Sequence, residues 1–157
     1  VSPSAGSGFF GFGYAGDRGP AGNAWPQMPE GVATDAAGNV YIGDVLNCVV
    51  RRVDIATHVI TRVAGVPGSC TPGGDGGNAL SARFSLPRRV VLDAVGNLYV
   101  LDSGSRSIRR VDAVTHIITT VAGGGATTPG FGDATTMDIG TPQDLALDAT
   151  NHLYISN

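Results

Sequence analysis

The apolar and polar positions of this chain follow the pattern of short strands joined by tight turns. In residues 39–44 (NVYIGD), Val40 and Ile42 alternate with Tyr41, so these side chains occupy opposite faces of an extended segment. The preceding residues 36–39 (AAGN) are typical of a tight turn, because Gly and Asn tolerate positive φ. No convincing helical segment is present. The pattern therefore predicts an all-β chain.

The same pattern occurs twice, with matching residues 58 positions apart. Residues 32–65 and 90–123 have closely similar sequences, and residues 142–157 begin a third copy. A repeat of this length indicates an array of identical supersecondary units. The predicted strands are 31–34, 39–44, 49–53 and 59–64 in one unit, and 90–92, 97–102, 108–111 and 117–122 in the next.

Four antiparallel strands in each repeated unit describe the blade of a β-propeller. About two and a half four-stranded blades are expected in this chain. The predicted division is a tail and inter-blade loop (1–29), a blade (30–65), an inter-blade loop (66–86), a blade (87–123), an inter-blade loop (124–141) and the first half of a further blade (142–157).

The array of blades is expected to close into a ring. A single blade buries its faces only against the next one, so a propeller needs several units. A third unit of two strands would leave an unpaired strand edge, which promotes aggregation. The sequence therefore predicts that residues 1–157 belong to a longer polypeptide; the alternative is closure of the arc by another chain.

Composition supports this fold and excludes some partners. The 24 Gly and nine Pro suit many short strands and turns. The net charge is -3, which offers no electrostatic footprint for nucleic acid or an anionic membrane. No apolar run approaches the roughly 18 to 20 residues that span a bilayer. We therefore expect no nucleic-acid partner and no direct membrane insertion.

The repeated segments resemble a known family. The runs GVATDAAGNVYIGDVLNCVVRRVD (31–54), VVLDAVGNLYVLDSGSRSIRRVD (90–112) and LALDATNHLYISN (145–157) are similar to NHL repeats. The GDGG motif at 74–77 resembles a secreted, long-period subgroup of that family. The resemblance implies a six-bladed ring. The His that gives the family its name is replaced by Cys48 and Arg106, so no role of that His can be transferred.

Cys48 and Cys70 are the two cysteines of the chain. In a four-stranded blade, the loop between strands two and three lies at the same end as the connection to the next blade, so both cysteines reach one face. A disulfide there would contribute roughly 3 kcal/mol in the chain-entropy model. NHL units with Cys at these points also imply the disulfide; two free thiols are the alternative. The disulfide predicts an extracellular or cell-surface protein.

Aspartates recur at fixed places in the units. One set lies in Gly-rich loops, and each member offers one carboxylate, whereas Ca²⁺ takes six to eight oxygen ligands. Another set closes the first strand before a turn. Because both sets recur in every unit, they predict structural turn capping rather than catalysis. The loop set is Asp17, Asp75 and Asp133, and the turn set is Asp35, Asp93 and Asp148.

Two other repeated groups have predicted structural roles. In each of the pairs 51–52 and 109–110, the two Arg side chains alternate across their strand. One of each pair is expected near a blade interface with an Asp partner, and the other in solvent. His58 and His116 are predicted turn residues, since His tolerates left-handed backbone better than most residues.

Arg88 and Arg89 depart from the repeat. They stand at the channel-side entry of a first strand, where the neighbouring units have Glu30 with Gly31 and Gln143 with Asp144. This difference makes Arg88 and Arg89 the candidate contact to a ligand or partner. Pairing with nearby Asp residues is the alternative.

The candidate chemistry is limited. No nucleophile elbow, Cys–His pairing, metal-spaced His cluster or phosphate loop is present. We therefore predict a non-enzymatic binding or structural module without cofactors, which presents loop faces to another protein or a glycan. The alternative is a metal-dependent propeller enzyme, a lyase or lactonase-like hydrolase, with Glu30, Gln143 and Asp144 in its central channel. RNA binding would need a basic face.

Overall fold

The computed structural model describes residues 5–6, 13–127 and 132–157. Parts of the predicted segments 1–29 and 124–141 therefore lie outside the described residues. The regular structure in the described part consists of ten strands and four three-residue 3₁₀ helices. The strands are β1 (Pro29–Thr34), β2 (Val40–Asp44), β3 (Val49–Val53), β4 (Ile60–Ala64), β5 (Pro87–Leu92), β6 (Leu98–Asp102), β7 (Ser107–Val111), β8 (Ile118–Gly123), β9 (Asp144–Leu147) and β10 (Leu153–Ser156); the 3₁₀ helices are Ala21–Asn23, Val45–Asn47, Ala79–Ser81 and Ala134–Thr136.

The strands form three antiparallel sheets. Strands β1 to β4 make one four-stranded sheet in chain order, β5 to β8 make another, and β9 pairs with β10. The first two sheets are complete propeller blades, here named blade 1 and blade 2, and the third is the inner half of a blade. The all-β propeller fold expected from the sequence is confirmed. No helix among the described residues is long and apolar enough to cross a bilayer.

The first strand of each blade begins two or three residues earlier than the alternation of side chains predicts. It starts at Pro29 in blade 1 and at Pro87 in blade 2. The register shifts between Pro29 and Gly31, and again between Pro87 and Arg89. Because Pro has no N–H to donate to a ladder, it is tolerated at a strand's first residue beside such an irregularity. The apolar pattern begins only after the shift, so it did not indicate these residues.

The main core lies between blades 1 and 2. Val50 and Ala64 of blade 1 pack with Val90, Leu98 and Val100 of blade 2. Phe84, from the inter-blade loop, is fully buried in the same cluster. Each blade thus removes its neighbour's apolar face from water, at about 25 cal/mol per Å² of apolar surface. A second cluster joins blade 2 to β9 and β10 through residues that include Leu101 and Leu145.

The blades have two distinct ends because successive antiparallel strands turn at alternate ends. One end, the turn face, consists of 35–39, 54–59, 93–97, 112–117 and 148–152. The other end, the loop face, consists of 45–48, 103–106 and the inter-blade loop 65–86. Cys48 and Cys70 form a disulfide at the loop face, with their Cα atoms 5.4 Å apart. The disulfide joins the β2–β3 turn to the inter-blade loop.

Candidate functional site

Arg88 and Arg89 lie at the loop-face end of β5, between the innermost strands of the neighbouring units. The Nε atom of Arg88 is 3.8 Å from Oε2 of Glu30 on β1. Arg89 donates from Nε to Oδ1 of Asp144 on β9 at 3.2 Å. Its Nη1 donates to the Glu30 carbonyl oxygen at 3.1 Å. The two arginines therefore connect all three units in this region, which we name the inner-strand mouth.

The inner-strand mouth retains hydrogen-bonding capacity toward solvent. The side chain of Arg88 is 38% exposed and that of Arg89 is 37% exposed. A guanidinium carries five N–H donors, and the contacts above use few of them. The remaining donors could bind a carboxylate or another anionic group. The alternative expected from the sequence was that nearby acidic residues pair with the arginines, and Glu30 and Asp144 do so. The geometry is therefore compatible both with a structural role of Arg88 and Arg89 and with a contact to a ligand.

Glu30, Gln143 and Asp144, the residues suggested for a metal site in the channel, make ion pairs or hydrogen bonds with other residues of the chain. Arg88 and Arg89 contact Glu30 and Asp144, as described, and the side-chain amide of Gln143 donates to the Thr141 carbonyl oxygen at 3.1 Å. No group of three or more His, Cys, Asp or Glu side chains in residues 5–6, 13–127 and 132–157 is arranged to hold a metal ion. These positions therefore act as ion-pair and hydrogen-bond partners within the fold.

The turn-set aspartates bind backbone N–H groups at the turn face. Oδ1 of Asp35 accepts hydrogen bonds from Ala37 N and Asn39 N at 3.0 and 2.9 Å. Asp93 accepts the corresponding bonds in blade 2. Burial at this turn favours the neutral acid, but hydrogen bonds, chiefly from Asn39, lower the pKa of Asp35 overall. The equivalent Asp148 accepts from His152 N at 2.9 Å, which lowers its pKa well below the ordinary value.

The loop-set aspartates occupy two kinds of position. Oδ1 of Asp75 is 2.5 Å from Nη2 of Arg109, and its Oδ2 accepts from Thr120 N at 2.9 Å. Asp17 lies 3.6 Å from Arg51 in the corresponding contact of the first unit. Asp133 instead caps a 3₁₀ helix by accepting from the N–H of residue 135 at 2.9 Å. Sequence reasoning expected an Asp partner for one Arg of each pair but did not identify that partner as Asp17 or Asp75, although both residue types recur with the same 58-residue spacing.

Arg51 is one of the fully buried charged side chains of blade 1. Its side chain has no exposed surface, and Nη1 lies 3.7 Å from Oδ2 of Asp44, which is also fully buried. Its guanidinium stacks on the Tyr14 ring at 4.7 Å, and burial raises the pKa of Tyr14 to about 12. Burial also raises the pKa of Asp44, although Asn47 and Arg51 favour its ionised form. These groups link the loop before blade 1 to the blade itself.

A groove at the turn face separates the outer parts of blades 1 and 2. Its volume is about 360 Å³, and we name it the inter-blade groove. Polar side chains from both blades line it, among them Asp35, Tyr41, Arg52 and His116. Sequence reasoning did not propose this site. The one signal was the repetition of Tyr41 as Tyr99 and Tyr154 in the other units.

The two complete blades, their shared core and the closely spaced inner strands define a β-propeller architecture. No protein-family model matches the sequence, and no curated protein matches it. The structure is similar to several solved propeller proteins. The chain spans about a third of the length of these proteins and is under 25% identical to them, so the likeness shows the fold.

Three examples of these solved structures, all from bacteria, show the extent of the similarity. A structural genomics protein of unknown function from Bacteroides thetaiotaomicron VPI-5482 has a TM-score of 0.64 and 21% identity, over 75% of this chain and 29% of that one. An auxiliary nutrient binding protein from Bacteroides ovatus ATCC 8483 has a TM-score of 0.61 and 21% identity, over 79% and 33%. Virginiamycin B lyase from Staphylococcus aureus has a TM-score of 0.54 and 14% identity, over 84% and 35%.

Proposed function

We propose that this chain is part of an extracellular, NHL-type β-propeller that binds another protein or a glycan through its loop face, without catalysis. The observation that carries the proposal is the inner-strand mouth, where Arg88 and Arg89 interrupt the repeat and present guanidinium groups to solvent. A residue that differs between otherwise repeated units is a better candidate for a specific contact than one the fold requires in every unit.

The repeats support the NHL assignment and the ring. The motif order in 31–54 and 90–112 supports the NHL type, and that type implies six blades. The outer edge of β10 carries no partner strand among the described residues, and Tyr154 of this strand is 58% exposed. A strand edge of this kind is normally paired. The chain spans about a third of the length of the solved propellers described above, which supports the proposal that further blades, from the same polypeptide or from another chain, complete the ring.

The extracellular location is supported by the disulfide. Disulfides persist in oxidising compartments and are rare in the cytosol. The bond between Cys48 and Cys70 holds the inter-blade loop against the β2–β3 turn, where Gly68 N donates to the Asn47 carbonyl oxygen at 3.1 Å. A loop face that is fixed before binding loses less conformational entropy when a partner is bound. A cross-linked loop of this kind suits a binding surface exposed to solvent.

The charge of the inner-strand mouth indicates the group that it binds. The guanidiniums of Arg88 and Arg89 are oriented by Glu30 and Asp144, and their remaining N–H groups can form charge-assisted bonds to a carboxylate. The acidic neighbours neutralise part of the positive charge, so one carboxylate would be accommodated more readily than a strongly anionic polymer. We therefore expect an acidic side chain of a partner protein, or an acidic sugar, at this position.

The test is a binding screen of the immobilised chain against arrays of acidic, neutral and basic peptides and of acidic and neutral glycans. We expect acidic ligands to be selected, and Arg88→Ala and Arg89→Ala each to weaken binding about tenfold. Arg110→Ala, an arginine paired with Asp112 at the turn face, is the control and should leave binding unchanged. Selection of basic ligands, no binding by any ligand, or equal losses in all three variants would refute the proposal.

A further inference from the structure

The inter-blade groove described above lies at the turn face, at the opposite end of the blades from Arg88 and Arg89. One wall belongs to blade 1 and carries Asp35, Tyr41 and Arg52, and the other belongs to blade 2 and carries Asp112 and His116. The volume of about 360 Å³ is within the range of small-molecule sites. Both walls belong to packed blades, so the groove is present without any rearrangement.

The floor of the groove is apolar. Val63 of β4, Leu98 of β6 and Val111 of β7 line it, and all three belong to or pack against the core between the blades. The floor is therefore rigid. A ligand would need a compact apolar surface to cover these side chains, because burying a polar group on them without a hydrogen bond is costly.

The rim of the groove has donors and acceptors with remaining capacity. The Tyr41 hydroxyl is 3.5 Å from Oδ2 of Asp35, longer than an ordinary O–H···O bond. Arg52 donates to Oδ2 of Asp54 at 3.1 Å and also interacts with the Tyr41 hydroxyl, which leaves some of its five N–H groups for a ligand. The imidazole of His116 makes no hydrogen bond within the part of the chain that the structure describes. Both donors and acceptors are thus available on the rim.

The charges of the rim are close to balanced. The guanidinium of Arg52, on the same blade, lies near the carboxylate of Asp35 and helps to lower its pKa. The second carboxylate, Asp112, already accepts hydrogen bonds from Thr115 and Arg110. Neither a phosphate nor a cation would find a matching excess of charge here. The lining suits an uncharged ligand with many hydroxyl groups.

We infer that the inter-blade groove binds a neutral saccharide unit. A sugar ring has an apolar C–H face for the floor of the groove and hydroxyls that both donate to Asp35 and accept from Arg52, Tyr41 and His116. This function is additional to the proposed binding of acidic groups at the loop face. It uses different residues at the opposite end of the blades.

The repeat provides a matched control. Tyr99 of blade 2 has the same local contact as Tyr41, with its hydroxyl 3.5 Å from Oδ2 of Asp93. It faces the third unit, whose described residues form β9 and β10 and no counterpart of the β7–β8 turn that carries His116. Tyr99→Phe therefore removes the same hydroxyl from an equivalent fold position without altering the inter-blade groove.

The experiment is an NMR titration of the full chain with D-glucose, D-galactose, D-mannose, N-acetyl-D-glucosamine and their β-linked disaccharides. Glucuronate and free amino acids serve as charged comparisons. We expect at least one neutral sugar to bind with a millimolar Kd and to shift the backbone resonances of Gly96 and His116. Tyr41→Phe should raise that Kd about three- to tenfold and Arg52→Ala about tenfold, whereas Tyr99→Phe should leave it within about twofold.

Three results would overturn the inference. They are no shift of groove resonances by any neutral sugar at tens of millimolar, tighter binding of glucuronate or amino acids than of neutral sugars, and equal effects of Tyr41→Phe and Tyr99→Phe. Arg88→Ala should not affect sugar binding, and Tyr41→Phe should not affect acidic ligands at the loop face. Failure of this inference is therefore distinguishable from failure of the proposed function.

Discussion

The adjacent arginines of β3 have opposite environments because successive side chains of a strand point to opposite faces. Arg51 is fully buried among Asp17, Asp44 and Tyr14, whereas the side chain of Arg52 is 29% exposed in the inter-blade groove. Removing one partner of a buried ion pair leaves an uncompensated charge, which costs much more than the loss of an exposed pair. The first member of each pair therefore stabilises the blade, and the second is available for binding.

We predict that Arg51→Met lowers the free energy of unfolding by about 3 to 5 kcal/mol, because Asp44 remains buried without its cation. Arg52→Met, one residue away, should have little effect, since its partner Asp54 is at the surface. Urea unfolding followed by circular dichroism measures both changes. Similar losses for the two variants would contradict the prediction.

The lowered pKa of Asp112 predicts how the stability of the fold changes at acidic pH. Hydrogen bonds from the backbone N–H of Thr115, then of Val114, hold the pKa of Asp112 at about 2, below its ordinary value near 3.8. A group with a lowered folded-state pKa stabilises the fold above its unfolded pKa, and this contribution is lost as pH falls toward the folded pKa. Stability should therefore decrease between about pH 4 and pH 2.

Carbon-detected NMR titration of the Asp112 carboxyl group tests this expectation. We expect its midpoint near pH 2, and we expect Asp112→Asn to remove part of the stability loss below pH 4. A midpoint near the ordinary value would show that the turn does not favour the ionised form.

The inner strands of blades 1 and 2 approach each other through glycines. A Cβ atom added at Gly43 of β2 would lie 2.5 Å from the carbonyl oxygen of Pro87 on β5. At Gly31 of β1 it would lie 2.8 Å from Cα of Arg89. The equivalent positions of blade 2 carry Arg89 and Leu101, so this close approach is a property of the first interface. The same strands therefore occur in both blades, whereas the contact that each blade makes with the next one differs.

We predict that Gly43→Ala lowers the free energy of unfolding by about 1 to 3 kcal/mol, because the backbone of β5 must move to admit the methyl group. Gly22→Ala is the control, since a Cβ there meets no atom within 4 Å and its backbone is not in the left-handed region. Thermal or urea unfolding compares the two. Equal stability of the variants would mean that the interface between the blades admits a methyl group without strain.

At the scale of the molecule, stability should follow the completeness of each blade. Blades 1 and 2 have four strands each and share a buried core, whereas β9 and β10 pair only with each other and pack on blade 2 through one face. Local opening requires least free energy where few buried contacts are broken. The third unit should therefore open most easily.

Native-state hydrogen exchange tests this order. We predict that amides of β3 and β7, which are central in their sheets, exchange at least tenfold more slowly than those of β9 and β10. Comparable protection in all three sheets would indicate that the third unit is stabilised by something beyond the described contacts, such as association with a second chain.

The arrangement of the two proposed binding surfaces also belongs to this scale. Meandering strands put the disulfide and the inner-strand mouth at one end of the blades and the inter-blade groove at the other. One ligand at each end could therefore be bound independently. This arrangement follows from the alternation of turns and from the side-by-side packing of the blades.

The sequence by itself determined the strands, turns and repeat, because these depend on local alternation and on Gly, Asn and Asp at turns. It also predicted the Cys48–Cys70 pair, because blade topology brings those loops to one end. Only the tertiary structure decided which Arg of each pair is buried, which Asp it contacts and where a groove opens between blades. These features depend on distances between segments far apart in the chain, and a single blade considered alone contains no information about its neighbour.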